Sequence, residues 1–235
     1  MKKETRVVDE KLGIVQITTL DERWYKVEDN YYPSVSWISG CYPKGVQFYK
    51  WLASKGWNEA EAIKNEAGER GSNVHNAIDR LNNGEEIAHE LYSSEEWTAI
   101  MSYADWYEAY QPKIIFSEKT VVSNKYKYAG TIDLFCKIGD EFYVIDIKTS
   151  QSVWKEYELQ LSAYRKAIED EHKNTGYKQA ILQVGYKMNK KKYKFTEIDD
   201  KFDLFLSAQN IWEEENGGSK PKQIDLPTKL KLFNQ

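Results

Sequence analysis

The sequence predicts one α/β domain, a mixed central sheet flanked by helices, with an N-terminal extension of strands and helices. Two observations carry this. After short strands over 6–33, helical periodicity dominates up to residue 112, and then three strands, a helix, two strands and a final helix follow in order, an arrangement that layers helices on a sheet. The chain has 235 residues, 41% of them hydrophobic, which suits one domain with a substantial core. The domain spans 1–235, with the extension over 1–112, the sheet and its helices over 113–215 and a surface tail over 216–235.

Residues 6–33 read as short strands. Val7, Val8, Ile14, Val15 and Ile17 are β-branched, and Gly13 and Asp29-Asn30 are turn signals. Phe48, Trp51 and Leu52 share one face of a short helix ending near Gly56. Residues 58–82 form a helix that Gly68 and Gly71 are expected to interrupt or bend, with Val74, Ile78 and Leu81 as its apolar stripe. Asn82-Asn83-Gly84 stops it. Ser94–Tyr110 is a helix with Trp97, Met101 and Ala104 on one face. Strands follow at 113–122, 128–137 and 141–148, with Gly139-Asp140 turning between the last two. A helix over 155–172 places Leu161, Tyr164 and Ile168 together. Strands at 180–186 and 193–198, joined by a lysine-rich turn, and a helix over 202–214 complete the domain.

The two cysteines, Cys41 and Cys136, match no zinc spacing and no disulfide framework, so a reducing, intracellular compartment is expected. No apolar run approaches the length of a bilayer crossing, so no membrane partner is expected. Residues 1–10 are charged and lack the apolar segment of a signal peptide. The net charge of −4 gives no overall basic surplus for a polyanion, although local lysine patches remain available.

The chemistry concentrates in Tyr128-Ala-Gly-Thr-Ile-Asp133 and Val144-Ile-Asp146-Ile-Lys148-Thr-Ser150. Strand residues two apart face the same side, so Asp146 and Lys148 point together while Ile145 and Ile147 point away. Asp133, one hairpin back, reaches the same edge. An Asp-x-Lys pair alone is more simply a salt bridge on an exposed strand. Two carboxylates and an ammonium on strands this apolar call for compensation, and a hard divalent cation, Mg2+ or Mn2+, provides it. The Ile147 carbonyl is a further candidate ligand. Glu118 on the preceding strand is another candidate oxygen donor, or else a solvated glutamate. Gln160 and Tyr164 lie four apart on one helix face, placed either to support the catalytic strand or to pack on the sheet. His75, on the glycine-bearing helix, is a candidate metal ligand or a packing residue.

Gly130-Thr-Ile-Asp133, Asp146-Ile-Lys148-Thr-Ser and Gln160-Leu-Ser-Ala-Tyr164, in this order, resemble the PD-(D/E)XK nuclease superfamily in its RecB-like branch. Gly71-x-x-x-His75 and Glu118 resemble that branch's helical histidine and strand glutamate. Tyr32-Pro33-Ser34-Val35 adds a likeness to the exonucleases that include the mitochondrial genome-maintenance enzyme and phage and bacterial relatives. The resemblance spans roughly residues 31–198. It implies a restriction-endonuclease-like fold and metal-dependent hydrolysis of DNA phosphodiesters, often of single strands from an end. It makes Asp133, Asp146, His75 and Glu118 metal holders, to which the Ile147 carbonyl adds a further candidate ligand. Asp133, Asp146, Lys148, Glu118, Gln160 and Tyr164 become the catalytic set, and Ser34 and Ser36 DNA contacts. Two cysteines cannot supply the four that an iron–sulfur cluster in some relatives requires. No phosphate-loop motif of a helicase motor occurs.

Lys119, Lys125 and Lys127 flank the catalytic strands, and Lys187 with Lys190, Lys191 and Lys192 forms a second cluster. These are candidate phosphate contacts or solvated turns. Trp37, Tyr42, Tyr49 and Trp51 are candidates for stacking unpaired bases, or core residues. Three readings remain open: an exonuclease preferring single-stranded DNA, an endonuclease or structure-specific nuclease on the same core, and a nucleic-acid-binding protein without activity.

Overall fold

The computed structural model describes residues 4–19, 22–185, 193–218 and 220–222. The lysine cluster at Lys187 and Lys190–Lys192 lies outside the described residues, as does most of the tail from 216. No helix among those described is long and apolar enough to cross a membrane.

The chain opens with a four-stranded antiparallel sheet, β1 (Glu4–Asp9), β2 (Ile14–Thr18), β3 (Arg23–Val27) and β4 (Asn30–Pro33), in sequence order. Three helices follow, α1 (Val35–Ser39), α2 (Val46–Lys55) and α3 (Trp57–Asn82). Gly56 holds φ at +74°, open to glycine, at the joint between α2 and α3. A short 3-10 turn precedes α4 (Ser94–Tyr110), which begins with a full capping box between Ser93 and Glu96.

The central sheet is built from β5 (Lys113–Ser123), β6 (Tyr128–Ile138), β7 (Glu141–Lys148), β8 (Lys178–Val184) and β9 (Tyr193–Glu197), again in sequence order. All neighbours are antiparallel except β7 and β8, whose parallel pairing needs the long crossover that α5 (Lys155–His172) provides. α6 (Phe202–Asn216) closes the fold. The sheet is mixed and flanked by helices, as the strand order predicts.

Helices cover both faces. Val74, Ala77 and Ile78 of α3 and Ile100, Tyr103 and Trp106 of α4 pack with Leu134, Ile145 and Ile147. On the other face α1, α5 and α6 pack Val35, Ile38, Leu161, Ile168 and Phe205 against Ile132, Phe135 and Val144. Central strands buried on both sides read as continuous apolar runs, which is why Tyr143 to Ile147 is apolar apart from Asp146.

The N-terminal sheet is also used on both faces. Ile17 and Trp24 join the core around α1 and α6, while Ile14, Tyr25 and Tyr32 pack on Ala129, with Val122 alongside. The sheet therefore sits over one end of the β5–β6 hairpin. Among the described residues a parallel bridge, Ser34 to Ala129, ties the two sheets together.

Two details differ from the sequence expectation. α3 is one continuous helix through Gly68 and Gly71. Each glycine costs about 1 kcal/mol relative to alanine, which packing of the downstream half outweighs. The buried face of α4 carries Ala99, Ile100, Tyr103 and Trp106, not the Met101 and Ala104 side. The large rings of Tyr103 and Trp106 bury more area than Met101 and take the inner face.

Candidate active site

The site forms where β6 and β7 part. Their pairing ends at Leu134 with Ile145. Past that point the edge of β7 facing β6 has no strand to bond. Ile147 exposes both its N–H and its C=O to the gap, and buried backbone groups demand partners. The Asp133 Oδ2 accepts the Ile147 N–H at 2.7 Å. The His75 Nε2–H donates to the Ile147 carbonyl at 2.9 Å. Side chains from β6 and from α3 thus replace the missing ladder.

His75 also joins the acidic side of the site. Its Nδ1 lies 3.3 Å from Glu118 Oε1 and 3.6 Å from Asp133 Oδ1. Glu118 faces Asp133 across β5 and β6, between the pairs Ser117–Leu134 and Lys119–Ile132. Its backbone is left-handed, with φ at +47°. For a non-glycine residue that conformation costs about 1–2 kcal/mol, a local strain that redirects the side chain. His75, Glu118 and Asp133 offer ligand atoms all within 4.8 Å of one another. Burial pulls the His75 pKa down, but the Asp133 charge and the Glu118 hydrogen bond outweigh it and carry the group to about 9.

Asp146 and Lys148 occupy the α5 side of β7, with Val144. The Lys148 ammonium donates to Asp146 Oδ1 at 2.7 Å. Asp146 is only 3% exposed, so this pair is not a surface salt bridge. Its second oxygen, Oδ2, is buried and accepts no hydrogen bond. Burial raises the Asp146 pKa above the usual carboxylate range, against the pull of Lys148. Burial lowers the Lys148 pKa, but the charges of Asp146 and Asp133 more than reverse this and hold the ammonium protonated.

The geometry groups Asp133 with His75 and Glu118, and leaves Asp146 outside that group, paired with Lys148. The Ile147 carbonyl is occupied by His75. Tyr164 is buried on α5 beside Gly130: a Cβ on Gly130 would lie 2.5 Å from Tyr164 Cε1 and 3.3 Å from the Val35 side chain. Gly130 is thus required by close approach. Gln160, one turn away on α5, is half-buried and has no side-chain hydrogen bond among the described residues.

The expected nucleic-acid contacts fare unevenly. Ser34 is buried, caps α1 by accepting the Trp37 N–H at 3.1 Å, and lies 3.1 Å from Ser36 Oγ. Lys119 is paired with Glu171 and lies 4.9 Å above the Phe116 ring. Lys125 and Lys127 are exposed, over the rings of Tyr126 and Tyr32. Trp37 packs edge-on against Trp24 and Trp212, and Tyr42 lies against the same core. Tyr49 is exposed on α2, and Trp51 tilts against Phe48.

Sequence reasoning missed Tyr157, whose ring lies 4.8 Å below the Lys148 ammonium. Its signal was helical spacing: 157, 160, 161 and 164 share one face of α5. It also missed the Tyr25 hydroxyl, 3.2 Å from Thr131 Oγ1, which brings the N-terminal sheet to within two residues of Asp133.

A divalent cation fits the donors present. Asp146 keeps a buried, unsatisfied anionic oxygen, and Asp133, Glu118 and His75 converge as an oxygen-rich set with one imidazole.

The model of the PD-(D/E)XK nuclease superfamily matches residues 46–221, and the chain belongs to that superfamily. Among solved structures, the alkaline exonuclease LHK-Exo from Laribacter hongkongensis is similar at 12% identity with a TM-score of 0.43, covering 78% of this chain and 87% of that one. Its complex with dAMP is similar at 11% identity, TM-score 0.42, covering 79% and 88%. SSO0001 is similar at 16% identity, TM-score 0.34, covering 54% and 62%. No curated protein matches the chain.

Proposed function

We propose that this member of the superfamily is a Mg2+- or Mn2+-dependent deoxyribonuclease, acting as an exonuclease on single-stranded DNA. One observation carries the metal-dependent hydrolysis: the buried Asp146–Lys148 pair, with an unpartnered carboxylate oxygen, beside the Asp133–Glu118–His75 cluster. The preference for ends and for single strands rests on the sequence likeness to exonucleases.

Asp133, Glu118, His75 and Asp146 are the residues to hold the cation, with the Ile147 carbonyl available once His75 releases it. When bound, the cation offsets negative charge growing on the phosphate. Lys148 is protonated and held by Asp146 and the Tyr157 ring, so it serves as a fixed positive charge for the same oxygens. Asp133 and His75 fix the Ile147 peptide and so keep Asp146 and Lys148 in place on either side of it. Tyr164 packs from α5 against β6 at Gly130, three residues before Asp133, and Gln160 shares its helix face. Every acid and the lysine expected of an active nuclease are present, which disfavours a protein that only binds nucleic acid.

The test is degradation of end-labelled single-stranded and duplex DNA, linear and circular, with Mg2+, Mn2+ or EDTA, beside Asp146→Ala. Metal-dependent loss of linear single strands, absent in the variant, is expected. Cutting of closed circles would replace the exonuclease with an endonuclease, and inactivity on every substrate would overturn the enzyme.

A further inference from the structure

The N-terminal sheet presents one face toward the catalytic strands, and its residues follow from the register. Tyr25 lies opposite Gln16 on β2 and Tyr32 on β4, and Gln16 lies opposite Arg6 on β1. Directly opposed residues share a face, so Arg6, Gln16, Tyr25 and Tyr32 stand on one side. Arg23, two residues from Tyr25, stands there as well, opposite Thr18. The Gln16 amide donates to the Tyr25 hydroxyl at 2.8 Å, and that hydroxyl meets Thr131.

This face has two ends of different character. Toward the β5–β6 turn it is apolar and covered, with Ile14 and Tyr32 packed against Ala129 and Val8, Val27 and Val122 alongside. Toward Asp133 it is polar. Thr120 and Thr131 lie opposite each other beneath it, and Arg23, one row beyond Tyr25, is exposed, as is Arg6 on the edge strand β1 in the row of Tyr25. Neither arginine has an ion-pair or side-chain hydrogen-bond partner among the described residues, although Glu4 shares the face and Glu22 adjoins it. The Arg23 carbonyl accepts the Ser34 N–H at 2.9 Å, and Ser34 bridges to Ala129, beside Gly130 and Tyr164.

Resting on the nuclease reading, we infer that Arg6 and Arg23 form a phosphate-binding strip that carries the substrate strand across the N-terminal sheet to Asp133. The ligand class is the phosphodiester backbone, without regard to base. Guanidinium groups suit it, because the planar fork matches two phosphate oxygens. Adjacent strands are about 4.8 Å apart, so Arg6 stands about 10 Å across the sheet from Tyr25, whose hydroxyl meets Thr131 two residues before Asp133. The strip gives a protein of net charge −4 a local route for a polyanion.

The test uses the full chain and fluorescein-labelled oligothymidylate, with binding followed by anisotropy in EDTA across a salt series. Arg6→Gln plus Arg23→Gln is expected to flatten the slope of log K against log salt by about 1.4, at about 0.7 per phosphate contact on single strands. KM is expected to rise several-fold and kcat at saturating DNA to stay put. Arg6→Lys plus Arg23→Lys should restore most of the slope, which a merely structural role would not produce. If wild type cuts DNA and the Gln variants keep its slope and KM, the strip is overturned while the nuclease stands. If wild type neither binds nor cuts DNA, the nuclease reading falls and the strip with it.

Discussion

The carboxylate of Asp133 accepts the backbone N–H of Ile147 at 2.7 Å, at the point where their two strands cease to pair. A candidate metal ligand therefore also holds the peptide between Asp146 and Lys148.

Replacing the ammonium should separate chemistry from affinity. Lys148→Ala is expected to lower kcat by about 100-fold to 1,000-fold, the usual loss for a fixed charge at a developing anion. DNA affinity in EDTA should change little. Single-turnover rates beside anisotropy give both numbers. Lost binding with intact turnover would remove Lys148 from the assigned role.

Metal should stabilise the fold. At 100 times its Kd a cation that binds only the native state adds about 2.7 kcal/mol. For a domain of this size that raises Tm by about 5–10 °C. Thermal unfolding with and without Mn2+ should show the rise in wild type and lose it in Asp133→Asn. A wild-type Tm indifferent to Mg2+ and Mn2+ would sink the site.

The metal-free protein should depend on His75 protonation. Its folded pKa, about 9, stands above the ordinary value of 6.5. The protonated form is therefore favoured by folding. Its stabilisation is complete below pH 6.5 and disappears as pH rises through 9, with an upper bound of about 3 kcal/mol. In EDTA, urea unfolding of wild type and His75→Gln should differ most at pH 6 and converge by pH 10. A gap constant with pH would contradict the charged imidazole.

Gly130→Ala tests the close approach of Tyr164. Overpacking of this kind costs about 1–3 kcal/mol, since the new methyl meets Tyr164 Cε1 and Val35 together. Urea denaturation should show the loss. An unchanged midpoint would mean that the ring moves aside freely.

The central sheet and α5 were legible because their signals agree. Apolar strand runs, the Gly139-Asp140 turn and an amphipathic helix all point to the same elements, and α4 and α5 begin and end where the sequence places them. The face of α4 was misjudged because Met101 and Tyr103 are both apolar, and only tertiary packing decides between them. The arrangement of the site was less legible. Strict alternation places Asp133 beside Asp146, whereas the parting of β6 and β7 and the left-handed backbone at Glu118 turn Asp133 and Glu118 toward His75. No local pattern announces an interrupted ladder, because it arises from how two strands twist apart. Arg6 and Arg23 were invisible for a similar reason: they lie far in sequence from the residues they approach.

α3 runs 26 residues without a break, about 39 Å of helix, with His75 in its packed half and Trp57 at the exposed far end. A helix of that length behaves as a stiff beam, and His75 sits on its inner arm. A load applied near Trp57 would be delivered as a tilt at the imidazole, and so at the Ile147 carbonyl it holds. Gly68 and Gly71 lie between load and fulcrum, where they soften the beam and set how much of that torque arrives.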